Sequence, residues 1–194
     1  IYAYGETNIA LTGKGTIDGQ GSNNQWWYMC GSPHYGWKEG MKAQKLGGRE
    51  RLLGLAELKR PIHERVMTTE DALRPQLINF YHCNTVLIEG VTLLNSPFWV
   101  IHPLLCESLI VRGVHIFNRG PNGDGCDPES CKNVLIEDCH FDTGDDCIAI
   151  KSGRNEDGRK WATPSENIIV RNCEMKNGHG GVVIGSEISG GYRN

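Results

Sequence analysis

Four stretches of the chain repeat one another without gaps: TVLIEGVTLLN at 85–95, SLIVRGVHIFN at 108–118, NVLIEDCHFDT at 133–143 and NIIVRNCEMKN at 167–177. Their starts lie 23, 25 and 34 residues apart, and the longest interval holds the polar stretch GRNEDGRKWATPSEN, read as a surface loop inserted between two repeats. Such a period suits one coil of a β-solenoid. Down the columns stand Val86, Leu109, Val134 and Ile168; Ile88, Val111, Ile136 and Val170; Val91, Val114, Cys139 and Cys173; Leu93, Ile116, Phe141 and Met175. All are apolar, and they largely alternate with polar neighbours, as a strand with one buried face requires; a bend is needed near Gly90. Glu89, Arg112, Glu137 and Arg171 form a column of alternating sign, which strands stacked about 4.8 Å apart turn into a surface ladder.

A second apolar run follows each of the later two repeats, CIAI at 147–150 and VVIG at 182–185, and NIALTGKGTIDG near the start is a looser relative. Each coil therefore has more than one strand. One coil cannot bury its own inner face, whereas stacked coils share a core. The expected fold is all-β, a right-handed parallel β-helix in a single domain over 1–194. An inserted loop and helix are predicted near 38–74, where EGMKAQKLGGRERLLGLAELKR breaks the repeat. Because the chain starts within strand-like sequence and stops at GGYRN without a capping segment, truncation at both ends is expected.

Composition narrows the partners. A formal charge of −3, with basic residues spread along the chain, gives no footprint for nucleic acid. No apolar run is long enough to span a membrane, and the first residues lack a signal peptide's basic start and apolar stretch. Of the eight cysteines, Cys83, Cys106 and Cys131 share one column and Cys139 and Cys173 another; with no CxxC pair, this is core stacking in preference to a zinc site. A Cys126–Cys131 disulfide is left open.

The chemistry-bearing residues cluster in the same register. Asp145 and His179 each fall 12 positions into their coils, and matching GDGCDP to DDCIAI brings Asp124 onto the column of Asp146. Each aspartate alone reads as a turn residue. Three on one face of neighbouring coils disfavour one another's ionisation and have no basic partner in that register, so a functional role is the better reading. Glycoside hydrolysis needs one carboxylic acid to protonate the leaving oxygen and a second carboxylate to activate water or attack the sugar. The expected spacing is the wide one of inversion, roughly 6.5–9.5 Å between acid and base.

With these residues in view, the chain resembles glycoside hydrolase family 28, the polygalacturonases. The family's Asn-x-Asp motif looks like Asn122-Gly123-Asp124, its Asp-Asp motif like Asp145-Asp146, and its Gly-His-Gly motif like Gly178-His179-Gly180. The resemblance implies inverting hydrolysis of α-galacturonosidic linkages in pectin without a metal or other cofactor. Asp145 would be the general acid, Asp124 and Asp146 the pair that deprotonates water, and His179 a neighbour that tunes the acid or contacts sugar. Gly123 stands where the family usually has Thr, and the family's Arg-x-Lys motif would lie one coil beyond Asn194, so the piece by itself is expected to be impaired. Asn122, Lys151 and His102 are the candidate substrate-binding residues, since an acidic polymer calls for basic groups near the aspartates. The expected setting is a monomer, secreted or periplasmic because its substrate is. The aromatic segment 25–37 is assigned no site, and the insertions lean toward exo action. A β-helix polysaccharide lyase using calcium and a noncatalytic carbohydrate-binding solenoid are the alternatives.

Overall fold

The computed structural model of the protein describes residues 1–193. Every pair of neighbouring strands in it is parallel, and the chain winds through three sheets in turn, as a right-handed parallel β-helix does. One full coil runs through Ile78–Tyr81, Asn84–Glu89 and Thr92–Leu94 before re-entering the first sheet at Ile101–Leu104. The same path repeats up to Val182–Ile184.

The predicted columns are the observed register. Val86 pairs with Leu109, Leu109 with Val134 and Val134 with Ile168, while Leu93, Ile116, Phe141 and Met175 stack in the third sheet. Ile88, Leu93, Leu109, Ile116, Ile136 and Phe141 have no exposed surface. Each such side chain contributes about 1.5–3 kcal/mol through burial, so the stacked columns are the main source of stability. The looser N-terminal relative joins them, with Ile9 beside Val86 and Leu11 beside Ile88.

The bend falls at Gly90, Gly113, Asp138 and Asn172, all with φ between 54° and 77°. Glycine, asparagine and aspartate tolerate this left-handed conformation best. At Gly90 there is a further constraint: a Cβ would lie 2.5 Å from the Gly13 carbonyl oxygen. The charge ladder is also formed. Arg112 reaches Glu89 at 3.3 Å and Glu137 at 2.6 Å, and Arg171 reaches Glu137 at 2.6 Å.

All eight cysteines are free thiols, so Cys126 and Cys131 are not bridged. Cys106 donates to the Phe80 carbonyl at 3.2 Å and Cys131 to the Pro103 carbonyl at 3.3 Å, so stacked thiols satisfy main-chain oxygens of the preceding coil.

The insertion near 38–74 contains helix α1 (Gly48–Glu57), as expected. The stretch read as a surface loop does not stay a loop: it holds helix α2 (Asn155–Trp161). Tertiary contact is the reason. Gly158 packs so closely that a Cβ would sit 2.7 Å from Gly153 and from Ser189. Three ion pairs clasp α2 to α1 and its flank: Arg65–Asp157 at 2.6 Å, Lys59–Glu156 at 3.0 Å and Arg159–Glu57 at 3.7 Å. Among the described residues, no helix is long and apolar enough to cross a membrane.

Candidate active site

Each strand of the first sheet begins just after a turn, and the parallel ladder carries those turns into line. Gly125 N donates to the Asp146 carbonyl at 3.0 Å and Cys147 N to the Gly180 carbonyl at 2.9 Å, which sets Asp124, Asp146 and Gly180 at one level of successive coils. One residue earlier, His179 N donates to the Asp145 carbonyl at 3.1 Å. Asp145 and His179 thus share a column, and their side chains meet, Nδ1 to Oδ1, at 3.1 Å.

The result is a three-carboxylate cluster in which one oxygen each from Asp124, Asp145 and Asp146 lies within 4.8 Å of the others. This is tighter than the spacing expected of an inverting pair. Adjacent rungs at about 4.8 Å set the scale, and the Asp146 amide donating to Asp145 Oδ1 at 3.1 Å draws that side chain inward.

The environment tunes Asp124 and Asp146. Burial pushes the Asp124 carboxyl up to about 7; Lys151 pulls it back, and Asp145 and Asp146 add to the rise. Asp146 is raised as well, by burial and then by Asp145. Asp124 therefore holds a proton far more tightly than an ordinary aspartate.

The aspartates do have a basic neighbour, Lys151, which reaches them from a later position of the strand and not from their own register. Its side chain leaves the end of the strand Ile148–Ile150 and runs back beneath the cluster, with Nζ 3.6 Å from Asp124, 4.0 Å from Asp127 and 3.1 Å from Glu187, and 4.6 Å over the Trp99 ring. Burial by itself lowers the Lys151 ammonium, but Asp127, Glu187 and Asp124 outweigh it and hold the group above the usual lysine range.

Asn122 faces the cleft. His102 lies one layer behind: its ring accepts from or donates to Glu129 at 2.6 Å, meets Asn79 at 3.0 Å and packs against Trp99 at 4.9 Å. Trp99, Glu129 and Glu187 line the cleft and were missed from sequence. For Trp99 a signal existed, because Val100 N donates to the Asp124 carbonyl at 2.9 Å, and Trp99 is thus the occupant of the aspartate column one coil earlier.

The cleft has a volume of about 830 Å³, and its wall includes Leu52 and Leu53 of α1 and Asp157 and Trp161 of α2. Trp27, in the aromatic segment 25–37, donates its indole N–H to the Ser96 carbonyl at 3.0 Å and packs on Gly120, where a Cβ would approach within 2.3 Å of its ring. That side chain buttresses the loop leading to Asn122. The three aspartates are also the oxygen-donor set that a hard divalent cation takes. Lys151 already sets one positive charge against Asp124, and a cation would have to share the cluster with it.

The chain matches the model of Glycosyl hydrolases family 28 over residues 64–194. It is 33% identical to a probable polygalacturonase of Vitis vinifera over 197 aligned residues, which cover all of this chain and 33% of that protein. It is 28% identical to an exo-poly-alpha-D-galacturonosidase of Dickeya chrysanthemi over 95% of this chain and 31% of that protein. The crystal structure of a hyperthermoactive exopolygalacturonase from Thermotoga maritima superposes with a TM-score of 0.96 at 50% identity, covering all of this chain and 44% of that one. A polygalacturonase from Erwinia carotovora superposes at 0.68 with 26% identity, covering 100% and 43%. The chain spans about a third of the length of these curated relatives. With a family model matched over well over half of its residues, the chain belongs to glycosyl hydrolases family 28.

Proposed function

We propose that this chain carries the catalytic coils of a secreted or periplasmic, monomeric glycoside hydrolase that removes galacturonate units from the end of pectin-derived polymers by inversion. The observation that carries the reading is the tight cluster of Asp124, Asp145 and Asp146 with Asp124 raised to about 7. A base works best when its pKa lies near the working pH, so Asp124, with Asp146 beside it, is suited to take a proton from a water held between adjacent rungs. Asp145, on the other column and paired with His179, protonates the glycosidic oxygen as the bond to the anomeric carbon breaks.

Asn122 and Lys151 contact the sugar from the cleft floor, and His102 acts from behind by fixing Trp99 and Glu129. The clasped helices α1 and α2 give the cleft a wall that a continuous polymer would have to pass. Together with the 50% identity to the Thermotoga maritima exopolygalacturonase, this favours exo over endo action.

The test is reducing-sugar release from polygalacturonate by the full-length protein, read beside ultraviolet absorbance. Sugar release without new absorbance, lost in Asp145→Asn, is expected. New absorbance would mean elimination and a lyase. Polymer binding without turnover in the wild type would mean a carbohydrate-binding solenoid.

A further inference from the structure

Arg74 stands out as a buried cation for which the mechanism above has no use. It is 5% exposed, and among the described residues no carboxylate pairs with it. Four of the five N–H groups of its guanidinium are instead taken by neutral oxygens, from two successive coils and from Gln44 of the insertion. Nη1 donates to the Pro97 carbonyl at 3.1 Å and the Pro121 carbonyl at 2.6 Å, Nη2 donates to Asn122 Oδ1 at 2.7 Å, and Nε donates to Gln44 Oε1 at 3.4 Å. The plane lies 4.9 Å over the Phe98 ring. Burial lowers the group to about 10, which leaves it charged at neutral pH.

Burying a charge is costly unless hydrogen bonds compensate, and here two of the four, to Pro121 and Asn122, fall in the turn that delivers Asp124. Asn122 sits in that turn with φ of 52°, a left-handed conformation that asparagine tolerates. An amide can present either its oxygen or its NH2 to a ligand. With Oδ1 occupied by Arg74, the NH2 is what Asn122 has left for the cleft.

We propose that Arg74 is a positioning residue: it reaches from the end of the insertion into the Asn122–Asp124 turn and fixes Asn122 as a hydrogen-bond donor toward an anionic or hydroxyl-rich sugar. This rests on the galacturonan reading. It also gives the insertion a second role, since Gln44, from the segment that leads into α1, meets the same guanidinium. Lysine at 74 keeps the charge but has three donors on one nitrogen and no planar fork, so it cannot span the four acceptors.

The test is a double-mutant cycle in the full-length protein with trigalacturonate as substrate. Arg74→Lys is expected to raise KM about tenfold, the scale of one charged hydrogen bond, while kcat changes less. In an Asn122→Ala background the same change is expected to leave KM within about twofold, because contacts acting through one residue are non-additive. An equal effect in both backgrounds, or an unchanged KM in Arg74→Lys, overturns the proposal. Asn122→Asp covers the case in which Arg74→Lys does not fold. It keeps and strengthens the pairing with Arg74 but replaces the donor by an anion, so an unchanged or higher Tm with a raised KM is expected, and wild-type KM overturns the role. A wild type that releases no sugar from polygalacturonate fails the galacturonan reading itself, and is told apart by that first measurement.

Discussion

Lys151 Nζ stands 3.6 Å from the Asp124 carboxylate, reaching back one coil to it, and the two side chains are only 3% and 6% exposed. In so dry a place the ammonium favours the ionised form of Asp124, and burial favours the protonated one. Burial wins, since Asp124 stays near 7, but Lys151 limits the rise. The lysine thus sets where on the pH scale the base becomes available.

A pH profile follows with a definite sign. The base must be deprotonated to accept a proton from water, so kcat/KM is expected to fall as pH drops through about 7, a limb that reports the three-carboxylate cluster as a whole. In Lys151→Gln the restraint on Asp124 is gone, and the limb is expected to move to higher pH. A limb that stays put, or moves down, would show that Asp124 is not the group controlling it.

Stereochemistry tests the division of labour among the aspartates. By the spacing rule for two-carboxylate glycosidases, oxygens within 4.8 Å sit closer than either the retaining or the inverting separation, so geometry alone does not choose. The choice rests on Asp124 and Asp146 sharing one level, where both can hold the attacking water. Proton NMR of the first product from an α-linked galacturonan is expected to show the β anomer. The α anomer appearing first would recast one aspartate as a nucleophile.

The coils were legible in the sequence because a solenoid writes its register into columns: Leu93, Ile116, Phe141 and Met175 are neighbours in space for the same reason that they align in the repeat. The aspartate cluster was legible by the same logic. What the repeat did not reveal comes from side chains that leave their own level. Lys151 crosses back one coil to Asp124, and Arg74 reaches the Asn122 turn from outside the repeat. Helix α2 was hidden because its support comes from ion pairs to a segment about ninety residues away, such as Arg65–Asp157. The tight oxygen spacing was hidden too, because column position fixes Cα atoms and not the direction of a carboxylate.

The core makes a stability prediction. Phe141 is fully buried between Ile116 and Met175, and its edge fits against Gly125, where a Cβ would lie 2.5 Å from the ring. Phe141→Ala removes the ring and leaves a cavity, so a loss of about 3–5 kcal/mol is expected from denaturant unfolding. A loss below about 1 kcal/mol would mean that the coils collapse to refill the space.

Chelation separates the hydrolase from the calcium-dependent lyase. In the proposed chemistry Lys151 supplies the positive charge against Asp124 and the aspartates handle protons, so exhaustive treatment with EDTA is expected to leave sugar release unchanged. Loss of activity restored by added calcium would assign the cluster to metal binding.

The clasp between the two inserted helices predicts the product pattern. Lys59–Glu156 and Arg159–Glu57 involve well-exposed partners, and such pairs contribute at most about 1 kcal/mol each. Arg65–Asp157 is the better anchored, because Arg65 is only 11% exposed and also donates to the Arg60 carbonyl at 2.8 Å. Asp157→Ala removes that anchor and a wall residue in one step, and replacing 48–57 by a short Gly-Ser linker removes α1 altogether. The wild type is expected to release monogalacturonate alone, by chromatography of early time points. Asp157→Ala should add a minor fraction of longer oligomers, and the linker variant a larger one, as the wall opens to passing chains. A wild type that yields a ladder of oligomers from the start would mean that the helices flank the cleft without closing it, and exo action would be withdrawn while the hydrolytic chemistry stands.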